Sequence, residues 1–102
     1  MKVDLTATQD AMILRIDGEI EIREAEELKS YFSQLAVKAT GRIILDFDLV
    51  TFIGSSGIGK LLSLYKNVNS RGIPIEIINL NENLYNLFLS FKLDKHFVLG
   101  KR

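Results

Sequence analysis

The chain opens on a two-residue alternation: Val3, Leu5 and Ala7 interleave with Lys2, Asp4, Thr6 and Thr8. That is the period of a strand with one buried face. Gln9-Asp10 reads as a turn, and residues 12–16 as a second strand ending at Asp17-Gly18, so the two predict a hairpin. From about residue 23 to residue 38 the period changes. Ala25, Leu28, Phe32, Leu35 and Ala39 recur at three- and four-residue spacing opposite Glu26, Glu27, Lys29 and Ser33. This is an amphipathic helix with acidic residues in its first turns, where the helix dipole favours them.

Gly41 ends that helix, and residues 42–47 form a nearly continuous apolar run. Such a run predicts an interior parallel strand covered on both faces. Beyond residues 48–53 and the junction Gly54-Ser55-Ser56-Gly57, a second helical stripe runs through Ile58, Leu61, Leu62, Tyr65 and Val68 and stops at Arg71-Gly72. Residues 73–78 predict a strand, with Pro74 at its start or on an edge. Asn81 is a good N-cap for a third helix carrying Leu84, Leu87, Phe88 and Phe91 inward. Phe97, Val98 and Leu99 supply a short closing strand. The order β-β-α-β-α-β-α-β predicts one α/β domain over residues 1–102, with a mixed, mostly parallel sheet packed by three to four helices.

Composition narrows the function classes. A chain of 102 residues holds one core and not two. Lys plus Arg equals Asp plus Glu at 13 each, so no global field draws the chain to nucleic acid or to an anionic membrane. A mild basic cluster at the end, Lys92, Lys95, His96, Lys101 and Arg102, reads as a solvated surface. With no cysteine, disulfides, thiolate catalysis and thiolate metal sites are excluded together. No leader pattern and no membrane-length apolar run is present, so the expected setting is cytoplasmic.

The most informative segment is residues 53–60, Ile-Gly-Ser-Ser-Gly-Ile-Gly-Lys, where a buried strand hands over to a helix. Small residues here let the backbone approach a partner, and the helix start offers unpaired N–H groups. Either serine is also a natural N-cap. Gly54 to Lys60 satisfies most of a Walker A pattern, but Leu61 follows where Ser or Thr holds magnesium. The helix also begins too early for a phosphate-wrapping loop. The same segment echoes the glycine turn of dinucleotide-binding folds, yet Ile53 stands where that turn needs its first glycine.

Residues 43–46, Ile-Ile-Leu-Asp, followed by residues 50–59, Val-Thr-Phe-Ile-Gly-Ser-Ser-Gly-Ile-Gly, resemble the signature of STAS domains. There a buried strand ending in Asp leads to an Asp-Ser-Ser-Gly-Leu-Gly turn that opens a helix. Residues 17–21, Asp-Gly-Glu-Ile-Glu, resemble the family's Gly-Glu-Leu-Asp segment, and Leu84, Phe88 and residues 93–97 resemble its last helix and closing strand. The match runs over nearly the whole chain in the right order.

Within the family the chain resembles anti-sigma factor antagonists. That resemblance implies a protein-binding switch and not an enzyme, with no cofactor and no metal. An anti-sigma factor that is also a serine kinase would phosphorylate Ser56, with Ser55 the second choice, and a phosphatase would reverse the modification. The partner-binding surface would comprise Glu21, Gly54, Ser55, Ser56, Gly57 and Ile58. Gly54 stands where the family has Asp, and Glu21 where it often has Asp. Two alternatives remain beside this reading: a constitutive STAS adaptor in a signalling or lipid-transport complex, and a nucleotide-binding protein using residues 54–60. The oligomeric state is left open.

Elsewhere, Asp46 and Asp48 lie two apart and suggest either a metal or phosphoacceptor pair or strand-end turn residues. Glu19 and Glu21 read as a solvated or partner-facing edge. His96, the only histidine, has no companion at a telling spacing. Tyr85 and Leu89 fall off the inward stripe of the third helix.

Overall fold

The computed structural model describes residues 1–102. Its elements are β1 (Lys2–Ala7), β2 (Ala11–Ile20), α1 (Ile22–Lys38), β3 (Arg42–Ile53), α2 (Ser55–Asn69), β4 (Ile75–Leu80), α3 (Glu82–Ser90), a single 3₁₀ turn (Leu93–Lys95) and β5 (Val98–Lys101). The five strands lie in the order β1-β2-β3-β4-β5. Only β1 runs antiparallel, hairpinned to β2 with Leu5 opposite Leu14. The fold is α/β with a mixed, mostly parallel sheet, as the sequence pattern predicts.

Because strand order follows chain order, each parallel crossover steps the same way across the sheet. Right-handed crossovers then place all three helices on one face. Burial follows this geometry. In β3, Ile43, Leu45, Phe47, Val50 and Ile53 are buried while Ile44, Asp46 and Asp48 are only half-buried. The expectation that this strand is covered on both faces is therefore corrected: it is interior to the sheet but covered on one side. Helices and sheet share one core, in which Phe47 meets Phe88 of α3 edge-on at 6.0 Å between ring centroids.

Other expectations shift for local reasons. β2 runs past Asp17-Gly18 to Ile20, with Gly18 at φ 122° where its pairing to β3 changes register. The apolar residues of β1 are less protected than the alternation implies: at this sheet edge Val3 is half-buried against the core, while Leu5 and Ala7 are exposed. Phe91 does not point inward. α3 ends at Ser90, so Phe91 leaves the helical phase and is exposed. Arg71 donates to the carbonyls of Ala36 and Ala39, tying the end of α2 to the end of α1.

Candidate functional site

β2 and β3 end side by side, with Ile20 paired to Ile53. The Gly54 N–H donates to the Ile20 carbonyl at 2.9 Å. From this clasp the chain enters α1 through Glu21 and α2 through Gly54, so the two helix N-termini open next to each other at the carboxyl ends of the strands.

Gly54, and neither serine, is the N-cap of α2, with extended backbone and no side-chain cap. This corrects the expectation that a serine caps the helix. Ser55 and Ser56 instead occupy the first two helical positions, Ser55 exposed and Ser56 half-buried. Gly57 is buried for a steric reason. A Cβ there would come within 2.6 Å of Ile53 Cγ1 and 2.8 Å of Ile20 Cγ2. The glycine lets the first turn of α2 rest directly on the strand ends, which fixes the height of Ser56. Ile58 is half-buried against the core.

Two solvent-open recesses meet at Ser56. One, of about 200 Å³, is lined by Glu21, Ile22, Phe52, Gly54, Ser55 and Ser56. The other, of about 470 Å³, runs between α1 and α2 and includes Ile22, Glu26, Ser56 and Lys60. Ile22 is 74% exposed and Phe52 47% exposed, so two large apolar side chains flank the serines. Sequence reasoning missed both. The available signal was an apolar residue off the inward stripe of α1, and one alternating outward beside the buried Ile53.

At the start of α1, Glu24 Oε1 accepts the Glu21 N–H at 3.1 Å. That bond, chiefly, holds the Glu24 carboxyl below its ordinary value of 4.5, aided by its own N–H and by Arg23 and opposed by partial burial.

The other candidates lie elsewhere. The Walker-like residues Gly59 and Lys60 sit within α2, and Lys60 pairs with Glu26 at 3.3 Å, so no wrapping loop exists around residues 54–60. Asp46 Oδ1 accepts the Asp48 N–H and the Asn79 amide, while Asp48 pairs with Arg15 and Arg102. These two carboxylates are engaged on the open sheet face. The His96 ring lies tilted against Tyr65 at 4.6 Å between centroids, and Lys101 lies over the Tyr85 ring, so these two C-terminal residues sit in separate contacts.

A STAS domain family model matches residues 2–101. The chain belongs to the STAS family. Among curated relatives, the anti-sigma-B factor antagonist of Bacillus subtilis is 28% identical over 88 residues, covering 86% of this chain and 80% of that protein. An anti-sigma factor antagonist from Mycobacterium paratuberculosis superimposes with a TM-score of 0.87 at 18% identity, over 99% of this STAS domain and 86% of that chain. The Bacillus cell fate determinant SpoIIAA in its phosphorylated form gives a TM-score of 0.75 at 19% identity, over 99% and 93%. These likenesses establish an anti-sigma-factor-antagonist-like STAS fold.

Proposed function

We propose that this STAS domain is a phospho-regulated protein-binding switch acting as a cytoplasmic anti-sigma factor antagonist. Unphosphorylated, it docks an anti-sigma factor that is also a serine kinase. Glu21, Gly54, Ser55 and Ser56 form the contact surface, and Gly57 and Ile58 set the shape of the turn beneath them. The kinase moves a phosphoryl group from its nucleoside triphosphate to Ser56 Oγ, the hydroxyl proton being released, and a phosphatase restores the serine by hydrolysis. On this reading the chain itself supplies no catalytic residue.

One observation carries the reading: Ser56 lies where two open recesses meet, flanked by the exposed side chains of Ile22 and Phe52. Burying the remaining apolar surface of such side chains contributes about 1–2 kcal/mol each. A phosphoserine adds about −1.5 to −2 charges at the same spot, beside Glu21 and Glu26. Docking then requires desolvating a dianion among carboxylates, so the complex dissociates.

The test combines intact-mass analysis of the chain from its host with calorimetric titration against the cognate anti-sigma factor. Phosphate on Ser56, its absence in Ser56→Ala, and at least about tenfold weaker binding by Ser56→Asp are expected. Gly54 favours the second reading, a constitutive adaptor, because it stands where the family has a carboxylate beside the acceptor. Ser56 unmodified in growth and stress, with full binding by Ser56→Asp, would establish that alternative.

A further inference from the structure

Ser56 and Lys60 are four residues apart on α2 and line the same recess, whose opposite wall carries Ile22 and Glu26 of α1. Lys60 Nζ stands 3.3 Å from Glu26 Oε2, joining the two helices through side chains that are 29% and 63% exposed. The charged surroundings are asymmetric. Glu21 borders Ser56 from the adjoining recess, while Arg23 is paired with Glu24 at 3.3 Å. Lys29 meets Lys60 only in the next groove along, away from Ser56. Lys60 is thus the one cation sharing a recess with the serine.

We propose that Lys60 is the internal counter-ion of phosphorylated Ser56: its ammonium exchanges Glu26 for the phosphate, breaking the ion pair between α1 and α2 and releasing the Glu26 carboxylate to the docking surface. This rests on the reading of Ser56 as acceptor and adds the device that spreads its charge.

The physics favours the exchange. An exposed carboxylate–ammonium pair contributes little, so it is easily given up. A phosphate with nearly two charges and three acceptor oxygens competes strongly for the same donor. Side chains four residues apart on a helix are neighbours, and a lysine leans toward the N-terminal turn where Ser56 lies. Modification therefore changes the surface at two points. A partly neutralised phosphate appears on α2, and an unpaired carboxylate appears on α1.

The experiment installs phosphoserine at position 56 of the full chain during synthesis, which removes any dependence on a kinase. Phosphorus NMR then follows the second ionisation of the phosphate in otherwise wild-type protein and in Lys60→Met, Lys60→Arg and Glu26→Gln. Loss of the cation in Lys60→Met raises that pKa by about 0.2–0.4 units. Lys60→Arg restores it, and Glu26→Gln lowers it further by freeing Lys60 from its competitor. An unchanged pKa in Lys60→Met, or no rescue by arginine, overturns the proposal. Undiminished anti-sigma factor binding by the phosphorylated chain is a separate outcome. It removes the docking reading and leaves the ion-pair exchange standing.

Discussion

Substituting Gly57 by alanine sets two effects of opposite sign against each other. Helix propensity alone predicts a gain, since alanine is favoured over glycine in a helix by about 1 kcal/mol, and by less in the first turn. The packing predicts a loss. The new Cβ falls 2.6 Å from Ile53 Cγ1, 2.9 Å from Ile53 Cδ1 and 2.8 Å from Ile20 Cγ2. Ile53 Cδ1 is a chain end and can swing, but the other two atoms are bonded to Cβ and move only by rotating χ1. Both residues are β-branched, stiff at χ1, and nearly or fully buried. Overpacking of this kind costs about 1–3 kcal/mol, toward the upper part of the range where no flexible end can yield. The net expectation is about 1–2 kcal/mol of lost stability, a fall in Tm of roughly 5–15 °C for a domain of this size. Gly59 is an internal control on the same helix. A Cβ there meets nothing within 4 Å, so Gly59→Ala gains about 0.5–1 kcal/mol. The chain has no tryptophan, so urea unfolding is followed by far-ultraviolet circular dichroism, comparing midpoints at constant slope. A Gly57→Ala midpoint at or above wild type would refute the steric account.

Gly54→Asp restores a capping side chain at an N-cap whose backbone is already extended, and its Cβ meets Phe52 Cε2 and Ile20 O at ordinary distances of 3.7 and 3.8 Å. It stabilises by about 0.5–1 kcal/mol in the same urea assay, and a loss would show that the glycine is needed there. The Glu24 carboxyl titrates lower in the folded chain than its ordinary 4.5, so its contribution is present above the ordinary carboxylate range and lost as pH falls through the lowered native value. The difference in urea midpoint between wild type and Glu24→Gln therefore narrows on acidification; a pH-independent difference would refute the hydrogen-bonded account of Glu24.

Much of the candidate site's location was legible before the fold was known. The glycine and hydroxyl residues between a strand and a helical stripe located the serines at a helix start, and the family resemblance of residues 17–21 brought Glu21 in beside them. The exposure of Ile22 and Phe52 was not legible, because an apolar residue beside a buried strand end reads as core until its phase is seen. Nor was the pairing of Glu26 with Lys60, which depends on how α1 and α2 sit together. The capping assignment failed for a related reason: serine and glycine are both acceptable N-caps, and the Gly54 N–H bond to Ile20 decides where the strand clasp stops and the helix starts.

Local pattern determined the elements, their order and the inward stripe of α1, since periodicity, caps and glycines act over a few residues. Strand order was decided only by the tertiary structure. The sequence 43–47 is apolar enough for burial on both sides, yet a sheet whose order never reverses, crossed each time with the same hand, gathers every helix on one face. That geometry leaves Asp46 and Asp48 on the open side, bonded to Asn79 and to Arg15 and Arg102, and sets the starts of α1 and α2 together around Ser56.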